Sequence, residues 1–192
     1  MSEELLIDLC SPTLAGLKTA SLVNVEYKDE ESVRDDLRNL NGQFVKKGLC
    51  AVPLKYKDGH ALIYIYRPEQ LQRDINKGRA AALLSERGYR TSSTARCVAH
   101  LAKRINVEND FPHEIGFFLG YPSEDVEGFI ENLGRNCKAC GFWKVYGDVD
   151  SAERKFSLCR KCCNIYKKCW RSGRSIDDLT VRTQSPVAAI NS

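Results

Sequence analysis

The hydrophobic positions change period several times along the chain, and each change marks a different element. Residues 2–9 place apolar side chains among acids at helical spacing, which predicts a short helix breaking at "CSPT". There Ser11 caps a new turn opened by Pro12, leaving Cys10 at a junction between helices. After Gly16, "ASLVNVEY" has the composition of a strand; Asp29 then caps a helix with Val33, Leu37 and Leu40 on one face, ending at Gly42. The clearest local signal follows. "CAVPLKY" and "ALIYIYR" are β-rich runs joined by "KDGH", and Asp58-Gly59 is the pair a type I′ hairpin turn prefers. Because Leu62, Tyr64 and Tyr66 alternate with Ala61, Ile63 and Ile65, both faces of the second run are largely apolar, placing it inside a sheet.

Pro68 opens a helical stretch interrupted at Gly78 and Gly88, and a better helix runs from about Ser93 to Ile105 with Val98, Leu101 and Ile105 at core spacing. "NDFPHEIGFFLGYPSEDVEGFIENLG" reads as two short helices around a rigid aromatic loop, Gly120-Tyr121-Pro122. Asp110 caps the first, Ser123 caps the second and Gly134 is the stop. "FWKVY" is a strand, Gly147-Asp148 a turn, and a long helix covers about Ser151 to Ser172. These elements predict one α+β domain over residues 1–182, with a flexible tail over 183–192. Its mixed sheet is built on the central hairpin with helices packed against it, followed by a Cys-rich C-terminal strand plus long helix.

A chain of 192 residues suits one well-packed core, and no apolar run is long enough to span a bilayer. The start, "MSEELLIDLC", is acidic where an export signal would be basic, so a cytoplasmic location is expected. In a reducing compartment nine cysteines point to metal binding, catalysis or burial rather than disulfides. Cys137-x2-Cys140 and Cys159-x2-Cys162, eighteen residues apart, have the spacing of a four-thiolate zinc site, and the first pair with its following glycine resembles a zinc knuckle. The second pair lies well inside the long helix, where Phe156, Cys159, Cys163, Tyr166 and Trp170 make an alternative core stripe at helical spacing. Thioredoxin-like redox pairs follow a strand and start a helix, whereas Cys137 and Cys140 precede a strand.

His113 and Glu114 open a short helix after Pro112, a place suited to a site. Paired with His113, Cys10 would give a nucleophile and base or two metal ligands; a capping or structural His113 is the alternative. His60 borders a turn, His100 lies within a helix, and Lys18 reads as a solvated lysine at a strand start. The last helix is strongly basic, and Arg160, Lys161, Lys167, Lys168 and Arg171, with Tyr166 and Trp170 among them, could contact nucleic acid. The two aromatics share the stripe expected to face the core, which argues the other way. Walker, dinucleotide, HExxH and GxSxG motifs are absent, so the common nucleotide, zinc-protease and hydrolase classes lack support.

The motifs "CSPTLAGLK", "ALIYIYRP", "FPHEIGFFLGYPSEDVEGFIEN", "NCKACGFWKVYGD" and "GRSIDDLTV", in this order, resemble the bacterial family named for a domain of unknown function, DUF3793, from Cys10 to Val181. The resemblance implies a single-domain cytosolic protein of anaerobic Gram-positive bacteria. It also implies family positions at Cys10, Cys137, Cys162 and His113, with Cys140 and Cys159 more variable. That favours a mixed thiolate and imidazole cluster able to hold zinc or iron or to run thiol chemistry. The expected function is therefore metal-binding or redox-associated, through Cys10, His113, Cys137, Cys140 and Cys162. The alternatives are a thiol-nucleophile enzyme using Cys10 or Cys137 with His113, and a nucleic-acid-binding module.

Overall fold

The computed structural model describes residues 1–107 and 111–183. The expected cap Asp110 and residues 184–192 of the expected tail lie outside the described residues. Helix α1 (Glu3–Leu14) starts at Ser2, whose hydroxyl accepts the Leu5 amide at 3.3 Å. It does not break at "CSPT": Pro12, near its C-terminal end, forfeits the bond an N–H there would give the Asp8 carbonyl, and burial of Leu6, Ile7, Cys10 and Leu14 on a common face offsets that cost. Ser11 turns its hydroxyl back onto the Ile7 carbonyl instead of capping a new turn.

Strand β1 (Ala20–Glu26) leads to α2 (Glu30–Phe44), capped as expected by Asp29, which accepts the Ser32 amide at 2.7 Å. The helix passes through Gly42 and ends in a 3₁₀ turn over Val45–Lys47. A helical glycine costs about 1 kcal/mol, while burying a phenylalanine yields roughly 1.5–3, and fully buried Phe44 lies just beyond Gly42.

Strands β2 (Cys50–Lys57) and β3 (His60–Tyr66) form the expected hairpin, with Asp58 and Gly59 at φ +49° and +75° as a type I′ turn requires. The sheet order is β1-β3-β2, so β3 is central. Both pairings are antiparallel, where a mixed sheet was expected. The reason is the path: α2 carries the chain from β1 to the far edge, and β3 folds back between two strands that point the same way without touching. Along β2 the Asn41 side chain donates to the Ala51 carbonyl and accepts its amide, each at 2.8 Å. Asn106 donates to the Leu54 carbonyl at 2.7 Å, and the register shifts between Pro53 and Lys55.

The alternation along β3 divides the core. Ala61, Ile63 and Ile65 pack with α1 and α2, while Tyr64 and Tyr66 pack under α3 (Pro68–Ile75), α4 (Arg79–Glu86), α5 (Thr94–Val107), α6 (Ile115–Phe118) and α7 (Ser123–Glu131). Helices thus cover both faces of a three-stranded sheet in an α+β fold. Fully buried Tyr64 donates its hydroxyl to the Phe118 carbonyl at 2.5 Å, satisfying the one polar atom it brings inside.

Pro122, with extended backbone, takes the N-cap position of α7, so Ser123 is the first helical residue and not the cap. Gly134 closes the turn after that helix, its amide bonded to the Phe129 carbonyl at 2.9 Å. The expected strand "FWKVY" shrinks to a two-residue pairing of β4 (Ala139–Cys140) with β5 (Lys144–Val145). Asp148 caps the long α8 (Val149–Arg171), and α9 (Ile176–Leu179) has a Ser175–Asp178 capping box.

Arg67, directly after β3, is 1% exposed. Its guanidinium donates to the carbonyls of Thr13 (2.8 Å), Leu14 (2.7 Å), Val181 (2.9 Å) and Lys47 (3.4 Å) and to the Thr183 hydroxyl (3.2 Å). One side chain thereby ties the end of α1, the turn after α2 and the segment after α9 to the sheet.

Candidate functional site

The β4–β5 knuckle is held against α7 by one buried carboxylate. Asp125, 3% exposed, accepts the Trp143 indole N–H at 2.7 Å and the amides of Tyr146 and Gly147 at 2.7 and 2.8 Å. Trp143 in turn stacks on Tyr121, with centroids 5.0 Å apart, and the Tyr121 hydroxyl donates to the Phe142 carbonyl at 3.2 Å. Gly141 must lack a side chain, because a Cβ there would lie 2.4 Å from the Phe156 ring of α8. Phe142, Trp143 and Phe156, with centroid separations of 5.9 and 4.5 Å, fill the contact between knuckle and helix.

This packing leaves a mostly apolar pocket of about 320 Å³ between α6, α7 and the knuckle. Four aromatic rings line it, those of Phe111, Tyr121, Phe129 and Trp143, and so do His113, Cys140, Lys144 and Asp125. His113 precedes the four-residue α6 rather than opening it, and its exposed ring meets Phe129 edge-on at 5.1 Å. The Lys144 ammonium lies over the Phe129 ring, 5.8 Å from its centroid, and donates to the Gly134 carbonyl at 2.7 Å. Glu114, beside His113 in sequence, turns inward and accepts from Tyr89 (2.9 Å) and Arg104 (2.8 Å), a structural ion pair.

Of the expected ligands, His113 and Cys140 share this pocket, and the others lie elsewhere. Cys137 lies just before the two-residue β4 and is half-buried, whereas Cys140 ends that strand, is exposed and lines the pocket, which Cys137 does not. Cys159 and Cys162 are buried in α8 as part of its core-facing stripe, and Cys10 is fully buried where α1 meets α8. Among the described residues, no three histidine, cysteine, aspartate or glutamate side chains gather closely enough to hold a metal ion. Neither the four-thiolate set nor the set of Cys10, His113, Cys137 and Cys162 is brought together. Phe142, Trp143 and Phe156 fill the contact between the knuckle that carries one cysteine pair and the helix that carries the other.

Lys18 is not a solvated lysine: it lies over the Tyr121 ring at 5.5 Å, within electrostatic reach of Cys10, Cys159 and Cys163, and burial pulls its pKa down. Burial also pushes the thiols of Cys10 and Cys162 up to about 12, which leaves them inert as nucleophiles near neutrality. Burial raises Tyr66, Tyr121 and Tyr166 to about 12 as well. All five groups are favoured neutral in the folded state, so their stabilisation is complete below their unfolded values and is lost as pH rises to about 12. Urea midpoints are therefore expected to fall progressively from about pH 9 upward; a midpoint flat to pH 11 would contradict this burial.

The fold and pocket define a helix-covered, antiparallel α+β protein with an aromatic cleft bearing one exposed thiol. Among the described residues no helix is long and apolar enough to cross a membrane. The chain belongs to the family described as "Protein of unknown function (DUF3793)", whose profile matches residues 6–180. Neither the curated proteins nor the solved structures include a match to it. Asp125 and the ring set of Tyr121, Phe129 and Trp143 carry no sequence signal of their own beyond the aromatic Gly120-Tyr121-Pro122 loop.

Proposed function

We propose that the protein binds a small, planar, largely apolar molecule in the aromatic pocket and acts on it through Cys140. One observation carries this reading: His113, the exposed Cys140 and four aromatic rings line the same cavity. Aromatic walls with a few polar groups at the rim are the usual make-up of a small-molecule site. In the reaction His113 takes the Cys140 proton and the thiolate sulfur bonds to an electrophilic carbon of the ligand. The displaced electron pair moves to the ligand's acceptor atom, which His113 then protonates. A reducing cytoplasm would keep the thiol available.

N-ethylmaleimide serves as the electrophile and an anilinonaphthalene sulfonate dye as the planar occupant. Cys140 is expected to be the first thiol labelled in the native protein, and saturating dye should slow that labelling. His113→Ala should reduce the rate by about 10²-fold, the low end of general-base assistance. Labelling that falls first on another cysteine, or that ignores the dye, removes the proposal. Elemental analysis of tag-free protein purified without oxygen provides a separate check. About one zinc or iron per chain, lost on Cys137→Ser, would replace this reading with metal ligation.

A further inference from the structure

We infer that the outer face of α8 docks an acidic partner protein. Arg154, Leu158, Lys161, Ile165 and Lys168 follow one another at spacings of four and three, which sets them on a single line along the helix. All five are exposed, and Leu158 and Ile165 keep 51% and 47% of their surface. A solitary exposed leucine is ordinary. Two aliphatics one heptad apart, alternating with cations, are instead the pattern of a helix that packs against another helix or into a shallow groove.

The charges specify what lies opposite. Arg160, Arg171 and Arg174 are also exposed, and among the described residues none of these six cations has an intrachain ion pair. Lys167 is the cation of this helix that is taken, by Asp8 at 3.0 Å. From Ser151 to Arg174 the one acid is Glu153. A second copy of the chain would set like charges against each other along the whole line. Nucleic acid would satisfy the cations, but Tyr166 and Trp170, the rings that could stack on bases, are packed against the core. Leu158 and Ile165 would then face phosphates. An acidic protein surface with an apolar centre fits both halves of the pattern: the cations steer the encounter and the aliphatics hold it.

The test uses full-length protein and three fluorescent probes: a synthetic helix with leucines at heptad spacing flanked by glutamates, a polyglutamate of equal charge, and an RNA duplex. The leucine–glutamate helix is expected to bind, with affinity falling as salt rises. Leu158→Ser combined with Ile165→Ser should weaken it at least about tenfold while leaving the urea midpoint unchanged, since both side chains are exposed. The inference is overturned if that helix does not bind, if polyglutamate binds as well and the double substitution changes nothing, or if the RNA duplex binds more tightly.

Discussion

Arg67→Met is expected to cost about 3–5 kcal/mol in urea denaturation, or to prevent folding altogether. The substitution keeps most of the volume and removes every donor, so the carbonyls of Thr13, Leu14 and Val181 are left without the partner that holds them at 2.7–2.9 Å. The Thr13 and Leu14 carbonyls keep one backbone amide each, from Gly16 at 3.1 Å and Val181 at 3.0 Å. The cost therefore comes from losing several hydrogen bonds to a charged group, roughly 1.5–3 kcal/mol each, and these losses overlap because one side chain makes them all. The buried cation has no carboxylate beside it among the described residues. Its counter-charge is the carbonyl end of α1, where the helix dipole is negative. Arg67→Lys separates charge from geometry: an ammonium restores the charge but cannot fork to three carbonyls, so it should recover less than half the loss. A Met variant within about 0.5 kcal/mol of the parent, the range of an ordinary surface change, would refute the clasp.

Asp125→Ala should cost about 2–4 kcal/mol and, unlike the change at Arg67, should also dismantle the pocket. Three donors lose their acceptor at once, and two of them are backbone amides in the segment that presents Cys140 and Trp143. The expected signature is a red-shifted Trp143 emission, with dye protection of Cys140 lost below the unfolding midpoint. Trp170→Phe in the background removes the other tryptophan. Asp125→Asn should fall between, because one oxygen still accepts while the amide nitrogen faces a donor. Retained dye protection in a destabilised Ala variant would mean that the pocket does not depend on this carboxylate.

The parts of the fold that could be read from sequence are those whose cause is local. Asp58-Gly59 makes its own turn, Asp29 caps its own helix, and the alternation along β3 reports burial on both faces. Pro12 and Gly42 misled for the complementary reason: a breaker states a local cost, and Leu14 and Phe44 offset it through contacts made elsewhere in the chain. The site was legible only in part. His113 and Cys140, both expected site residues, do line one pocket, but spacing alone could not show that Cys140 would reach it while Cys137, three residues earlier, would not. Arg67 and Asp125 gave no signal, since a charged side chain looks solvated until its distant partners are known. Val181, for one, is far along the chain from the arginine it meets.

The side-chain clamps along β2 bear on how the protein behaves at high concentration. An unpaired strand margin is a template for self-association, and a three-stranded sheet has two such margins for very little interior. On β2 the Ala51 amide and carbonyl are already occupied by Asn41, the Leu54 carbonyl by Asn106, and Pro53 has no N–H to offer. A foreign strand approaching there would meet neither free donors at the right rhythm nor an even register. The opposite margin, β1, is covered near its start by α1, with Ser21 donating to the Leu9 carbonyl at 3.2 Å. Two asparagines, a proline and a helix thus act as stoppers that end the ladder at three strands and guard it against fibrillar growth.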